Sequence, residues 1–307
     1  MITLNTDKGL IKVESWEDVT SRPGYMPDLD PKDKKLKSVI GSYQFKEKIR
    51  CGLSNCHTPH AKGYIAATED GYETNIGQDC GKKYFGVDFE TLSRKFDRDV
   101  TEKDNRERLW SFRYRLKELE EKIDNIRKSI GGDWVYRNLQ ALTNLNRGCP
   151  PGVVKRMTAM AKSRNGLLTT QRLATDEEVD DLSAIEGRAI EKPYYINEPL
   201  AEIKGLDALY PENDLRELLV KGLSSEIRSF QEKDIDQMSY SELAKWSKWL
   251  ATIEVTLSTA ELAVASGKRL LSPKNLEPLL AVIDPKEEAP VFRMFLASLA
   301  KTSAEYA

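Results

Sequence analysis

Residues 51–86 read CGLSNCHTPHAKGYIAATEDGYETNIGQDCGKKYFG. This segment holds both histidines of the chain and three of its four cysteines, namely Cys51, Cys56, His57, His60 and Cys80. Thiolate and imidazole groups are the ligands that Zn²⁺ prefers, and a structural zinc site uses four of them in a tetrahedron. The concentration of these ligands in one short segment therefore predicts a single structural zinc site.

The residues between the cysteines have the pattern of a β-hairpin. Residues 62–68 and 72–76 are typical of strands, and residues 69–71, Glu-Asp-Gly, are typical of the turn that joins them. Two cysteines bracket a short turn before the first strand, and Cys80 opens a helical turn after the second. The sequence thus predicts a cysteine knuckle, a hairpin and a ligand at a helix start, in that order.

This order resembles the small treble-clef-like zinc modules of many bacteriophage proteins, in which a cysteine pair precedes a hairpin and the signature (I/V)G-x-x-C-x-K-(K)-(Y/F). The signature positions here are Ile76, Gly77, Cys80, Lys82, Lys83 and Tyr84. A standard treble clef takes a second helical ligand one turn after the first, but Lys83 occupies that position. The resemblance therefore implies a histidine ligand near the knuckle. We expect His60, with His57 as the substitute, because adjacent residues such as Cys56 and His57 seldom reach one ion together.

A site closed by Cys51, Cys56, His60 and Cys80 has no open coordination position, whereas catalytic zinc requires one. An HNH-type nuclease would need further histidine ligands or bases, and none follows Cys80. The sequence also contains no Walker loop, no dinucleotide fingerprint and no G-x-S-x-G motif. We therefore expect a structural metal and no enzymatic activity.

The composition is that of a folded protein with balanced charge. The chain has 307 residues, of which 31% are charged, and its formal net charge is −2. This balance is not typical of a dedicated nucleic-acid binder. With few cysteines, no signal-peptide pattern and no membrane-spanning apolar run, we expect no disulfide framework and a cytoplasmic location, in the host cytoplasm if the chain is viral.

A heptad-like apolar pattern follows the zinc segment. Seven residues recur at steps of three and four, and we call them the seam: Leu109, Phe112, Leu116, Leu119, Ile123, Ile126 and Ile130. The pattern predicts one long helix that ends at the Gly131-Gly132 pair, about 45 Å in length at 1.5 Å per residue. A narrow apolar stripe on a long polar helix needs a partner. That partner is either a later helix of this chain or the seam of a second copy.

The rest of the chain has helical patterns. The Cys-Pro-Pro-Gly run at residues 149–152 is a strong helix breaker, and the residues after it predict a helical bundle. Capping boxes at Thr175/Glu178 and Ser239/Glu242 mark two helix starts, the second opening a helix to about residue 266. We therefore predict an α+β fold with three domains: a zinc-binding α+β domain (1–98), a long helical arm or coiled coil (99–148) and a helical C-terminal domain (149–307).

Two functions without catalysis remain open. The favoured one is a zinc-stabilised, oligomerising protein that binds and inhibits or scaffolds a protein complex. Its outline is similar to that of phage-encoded anti-defence inhibitors, such as those of the Gabija system, which encircle their target as oligomers. The alternative is a nucleic-acid-binding zinc protein of phage or bacterial DNA metabolism. Its contacts would come from five basic residues: Lys46, Lys48, Arg50, Lys82 and Lys83.

Overall fold

A computed structural model describes residues 1–303 of the chain. An antiparallel sheet and many helices confirm the α+β class. The chain divides into two compact units: unit 1 comprises Met1–Phe112 and Asp234–Ser247, and unit 2 comprises Arg113–Lys233 and the residues from Lys248 onward. The division into three domains stays a prediction. None of the helices within residues 1–303 is both long enough and apolar enough to cross a bilayer.

Unit 1 is built on a five-stranded antiparallel sheet with the order β2-β1-β3-β4-β5. The strands are β1 (Ile2–Thr6), β2 (Gly9–Val13), β3 (Leu36–Arg50), β4 (Pro59–Thr68) and β5 (Glu73–Ile76). The predicted hairpin is confirmed, since the backbone N–H of Thr68 donates to the carbonyl of Tyr72 at 2.8 Å and Tyr64 lies opposite Ile76. This hairpin carries the chain from the knuckle to the third cysteine.

The pairing of β3 with β4 is irregular beside the knuckle. It jumps from Gln44 opposite Lys62 to Ile49 opposite His60. Residues 45–48 of β3 therefore lie opposite a single residue of β4. Such bulges bend a strand and redirect its side chains. We refer to residues 45–48 as the β3 bulge.

The helix after β5 is longer than the sequence predicts. After the single turn α1 (Glu17–Thr20), α2 runs over Gln78–Arg113, joining the predicted turn at Cys80 to the helices expected after it. It is kinked at Gly86, where φ is 57° and ψ is −137°, a conformation that favours glycine. Beyond the kink, α2 buries Phe89 and Phe96 in the core of the sheet.

The single helix predicted over the seam is wrong, because the seam is divided. Helix α2 ends at Arg113, α3 spans Leu116–Asp124, and a π-helical turn spans Asn125–Ser129. Five seam residues are buried within one chain: Leu109, Leu116, Leu119, Ile123 and Ile126. The other two, Phe112 and Ile130, are half-buried. Most of the seam is thus covered without a second copy. Its pairing between copies stays a prediction.

We expect Ile126→Ala to lower the free energy of unfolding by about 2–5 kcal/mol without changing the molecular mass, because the Ile126 side chain is 1% exposed within the single chain. Urea denaturation and light scattering measure the two quantities. Lys117→Ala is the control, since the Lys117 side chain is 88% exposed. A small stability loss together with dissociation of an oligomer would instead place a second copy against the seam.

Most of the remaining chain is helical. The α-helices are α4 (Gly132–Thr143), α5 (Pro151–Ser163), α6 (Asp176–Glu186), α7 (Glu226–Gln231), α8 (Tyr240–Leu250), α9 (Ile253–Leu270), α10 (Pro273–Leu276) and α11 (Ala289–Ser303). A second π-helix spans Arg216–Ser225, and short 3₁₀ turns span Leu206–Leu209, Pro211–Asn213, Ile235–Gln237 and Glu277–Ala281. The expected helix from Ser239 to about residue 266 is two helices, α8 and α9.

Unit 2 also contains strands that the sequence analysis missed. Strands β6 (Leu167–Leu173) and β7 (Tyr195–Glu202) form a two-stranded antiparallel sheet, which we call the ribbon. The C-terminal half is mainly helical, as expected, but it also contains these two strands. The capping box before α6 is confirmed, because Thr175 Oγ1 accepts from the Glu178 N–H at 3.3 Å while the Glu178 carboxylate accepts from the Thr175 N–H at 2.8 Å.

Candidate metal centre

Three cysteine side chains converge in unit 1. The sulfurs of Cys51, Cys56 and Cys80 all lie within 4.8 Å of one another, and the Cys56 and Cys80 sulfurs are 3.0 Å apart. Tetrahedral zinc with bonds of about 2.3 Å separates its sulfur ligands by roughly 3.8 Å. The three sulfurs are therefore close enough to hold a metal ion. Within residues 1–303, no other group of His, Cys, Asp or Glu side chains has this property.

Backbone hydrogen bonds hold the knuckle in place. Cys51 directly follows β3, and the N–H of Gly52 donates to the carbonyl of Asn75 in β5 at 2.8 Å. The N–H of Cys56 donates to the carbonyl of Leu53 at 3.1 Å, which closes the turn between the two cysteines. The third cysteine lies in the first turn of α2. Three separate elements thus each bring one sulfur to the same place.

The three thiols differ in pKa, because they differ in burial and because each is affected by the neighbouring thiols. Burial raises the pKa of Cys51, and burial together with the neighbouring Cys56 raises the pKa of Cys80 to about 12. Burial also acts to raise the pKa of Cys56, but hydrogen bonds with Thr58 and Cys80 outweigh it and lower that pKa to about 7. Three thiolates this close repel one another unless a cation lies among them. A divalent metal would supply that cation, since the thiolate is the metal-binding form.

His60, the predicted fourth ligand, lies outside the three-sulfur group. Its Nδ1 donates to the carbonyl of Thr58 at 3.0 Å, and its Nε2 accepts from the Tyr43 hydroxyl at 2.5 Å. The ring is packed so closely on Gly77 that a Cβ at that glycine would lie 3.2 Å from it. In the structure, therefore, both ring nitrogens are already hydrogen-bonded to protein groups.

His57, the predicted substitute, also lies outside the three-sulfur group but next to the knuckle. Its backbone φ is 57°, which is uncommon for a residue other than glycine. Its Nδ1 lies 3.4 Å from the carbonyl oxygen of Cys51, and its Nε2 lies 3.6 Å from the carboxylate of Asp28. The identity of the fourth ligand stays a prediction for both histidines.

A buried polar network under the knuckle was missed by the sequence analysis. Asn75 donates from Nδ2 to the Tyr43 hydroxyl at 3.2 Å and to the carbonyl of Arg50 at 2.9 Å. The Tyr25 hydroxyl donates to Asn75 Oδ1 at 2.7 Å. Burial raises the pKa of Tyr25 to about 12 and also raises that of Tyr43, so both remain donors at neutral pH. The available signal was an asparagine inside a strand, where this residue type is rare.

The predicted basic contact residues are all exposed, but their surroundings differ. Lys82 pairs with Glu90 at 2.5 Å, Arg50 lies 3.9 Å from Asp28, and Lys83 lies over the Tyr84 ring. The remaining two, Lys46 and Lys48, extend from the β3 bulge, and within residues 1–303 neither has a carboxylate partner at 4.0 Å or less.

Compared with known proteins, the chain matches no family model, no curated protein sequence and no solved structure. The interpretation of the site therefore depends on its own residues and their geometry.

Proposed function

We propose that this chain is a non-enzymatic binding protein whose unit 1 is stabilised by a structural zinc ion. Cys51, Cys56 and Cys80 would hold the ion together with a histidine of the knuckle. Thiolates favour zinc over hard cations such as Mg²⁺ and Ca²⁺, which take oxygen ligands. The metal would tie the end of β3 to the start of α2 across the hairpin, and a crosslink of this kind is the usual role of a structural zinc site.

We assign a protein as the binding partner because apolar residues are exposed on and around the ribbon. Within residues 1–303, sixteen large hydrophobic side chains are exposed, and five of them fall within residues 167–200: Leu167, Leu173, Ile185, Tyr195 and Leu200. Isolated exposed hydrophobic residues are common, but exposed apolar residues that lie together mark surfaces that bind proteins, and four of these five lie on the two paired strands of the ribbon. This concentration is the observation that carries the proposal.

The strand edges of the ribbon favour the same kind of partner. The sheet has only two strands within the part of the chain that the structure describes, so each strand has one edge without a strand beside it. Unpaired edges offer N–H and C=O groups to which another chain can add a strand. Leu173 lies directly opposite Tyr195, and both are 56% exposed, so one face of the ribbon presents an apolar pair beside those edges.

The proposed action is to inhibit or scaffold a protein complex through this surface. The similarity of the expected outline to that of phage-encoded anti-defence inhibitors makes a bacterial defence complex the first partner to test. This choice of partner depends on the resemblance alone.

Capture experiments with a ribbon variant test the proposal. We expect the double variant Leu173→Asp, Tyr195→Asp to lower the affinity for a captured bacterial protein complex by at least about tenfold, or ~1.4 kcal/mol. The control is Val255→Asp, which changes another exposed apolar residue, 69% accessible, outside the ribbon. The same complex, reconstituted from purified components, should bind the wild type and the control in high salt and after nuclease treatment. Equal binding by the ribbon variant would contradict the proposal.

The β3 bulge favours a second candidate function, nucleic-acid binding. Between residues 44 and 62 the chain carries four basic residues and one acidic residue, and Lys46 and Lys48 extend from the bulge. Lysines without carboxylate partners are available for phosphate oxygens.

If nucleic acid is the ligand, we expect Lys46→Ala, Lys48→Ala to weaken binding of labelled DNA and to reduce the slope of log affinity against log salt by about 2. Fluorescence anisotropy with single-stranded and duplex oligonucleotides measures both effects. Lys8→Ala is the matched control, since Lys8 is exposed at the distant turn between β1 and β2. An unchanged slope would exclude the bulge as a nucleic-acid contact.

A further inference from the structure

Two histidines near the knuckle compete for one coordination position. Three thiolates leave one vertex of a zinc tetrahedron to fill. His57 and His60 are the only histidines in the chain. Their hydrogen bonds and backbone conformations differ enough to assign each a separate role, provided that the proposed zinc site exists.

His60 is already committed to the polar network. To reach a metal, one ring nitrogen would have to give up either the Thr58 carbonyl or the Tyr43 hydroxyl. The Tyr43 side chain is 2% exposed, so its O–H would lose its acceptor in a largely buried position. Leaving a buried donor unsatisfied costs the free energy of removing that donor from water. The existing contacts of His60 therefore oppose its use as a ligand.

His57 has loose contacts and an unusual backbone. Its ring nitrogens lie 3.4 Å from the Cys51 carbonyl oxygen and 3.6 Å from the Asp28 carboxylate, and its side chain is 32% exposed. Consecutive side chains usually point apart, which is the objection to having Cys56 and His57 bind one ion. The positive φ of His57 changes the local direction of the chain and brings the imidazole beside the carbonyl of Cys51, the residue that carries the first sulfur. The His57 ring therefore lies near the backbone of the residue that carries the first sulfur.

The carboxylate of Asp28 next to His57 is a second, independent indication that His57 binds the metal. A histidine that binds zinc usually presents its other ring nitrogen to a carboxylate or carbonyl, which fixes the tautomer. Nε2 of His57 faces the Asp28 carboxylate, so Nδ1, on the side of Cys51, is the nitrogen left for a metal. His60 also presents one ring nitrogen, Nδ1, to a carbonyl, but the nitrogen that this leaves, Nε2, already accepts a hydrogen bond from the Tyr43 hydroxyl.

We infer that His57 supplies the fourth zinc ligand and that His60 is a positioning residue that ties the knuckle to Tyr43 of β3. His60 acts only through its hydrogen bonds. Asp28 orients the ligand histidine, so Asp28→Asn should weaken metal binding by about 10–100-fold while leaving the set of ligand atoms unchanged.

X-ray absorption at the zinc edge, combined with chelator competition, tests this assignment on the full-length chain. For the wild type and for His60→Ala we expect three sulfurs and one imidazole, with a lower Tm in the variant. For His57→Ala we expect the imidazole signal to disappear and the zinc affinity to fall by at least about tenfold. His57→Cys should restore tight binding with four sulfurs, which a purely structural role for His57 would not produce.

The outcomes separate this inference from the zinc proposal that it rests on. Loss of the imidazole signal in His60→Ala, with the signal retained in His57→Ala, would overturn the inference but keep the zinc site. An imidazole signal retained in both single variants, or missing from the zinc-loaded wild type, would also overturn it. A wild-type chain that binds no zinc would overturn the proposed site itself.

Discussion

Replacing Cys51 with serine is expected to abolish stoichiometric zinc binding and to unfold the sheet of unit 1. The Cys51 side chain is fully buried in the core cluster, so no other ligand can take its place from solvent. Structural zinc contributes apparent binding energies of about 10–16 kcal/mol in small zinc domains, which is as large as the stability of a typical folded protein. Metal analysis and hydrogen exchange of the strands measure the two losses.

The lone fourth cysteine provides the control. Cys149 lies in unit 2, is 4% exposed, and its burial raises its pKa to about 12, so it is an inert thiol. Cys149→Ala should lower stability slightly and leave the zinc content unchanged. If Cys51→Ser and Cys149→Ala give the same metal content and the same hydrogen exchange, the three sulfurs do not form a metal site.

Phe89→Ala is expected to lower the free energy of unfolding by about 3–5 kcal/mol, because the ring is fully buried and removing it leaves a cavity. Phe89 meets Tyr64 of β4 edge-on at 5.6 Å, and it fits against Gly81, where a Cβ would lie 2.3 Å from the ring. Since Gly81 follows Cys80, loosening this contact should also weaken the metal site. Urea denaturation measures the stability, and chelator competition measures the affinity.

Val87→Ala is the matched control for Phe89→Ala. Val87 lies two residues earlier in α2 but is 76% exposed, so its truncation should change the stability by less than about 0.5 kcal/mol. Equal effects of the two substitutions would show that α2 is not held to the sheet by Phe89.

The group of three cysteines is the part of the structure that the sequence predicted best. Ligand chemistry alone singles out Cys51, Cys56 and Cys80, and the turn at residues 69–71 predicts the hairpin between them. Both signals can be read from a short stretch of sequence. Soft metal ligands rarely cluster by chance, and a short turn determines the pairing of the two strands that it joins. The fourth ligand stays a prediction, because it depends on whether a histidine ring nitrogen is already hydrogen-bonded to a residue distant in sequence, as His60 is to Tyr43.

The errors arose where local patterns do not determine the structure. Steps of three and four continue across the interruption after Arg113, because an apolar stripe is insensitive to one irregular turn. The ribbon was missed because its strands are 21 residues apart in sequence and present few apolar residues on a common face. Its pairing depends on contacts distant in sequence, which periodicity does not report.

Zinc content of the full-length chain, purified without added metal and examined by native mass spectrometry, tests the central claim most directly. The account predicts one zinc ion per chain, released by a strong chelator together with loss of hydrogen-exchange protection in β3, β4 and α2. A folded, metal-free chain whose Tm does not change when zinc is added or removed would contradict it.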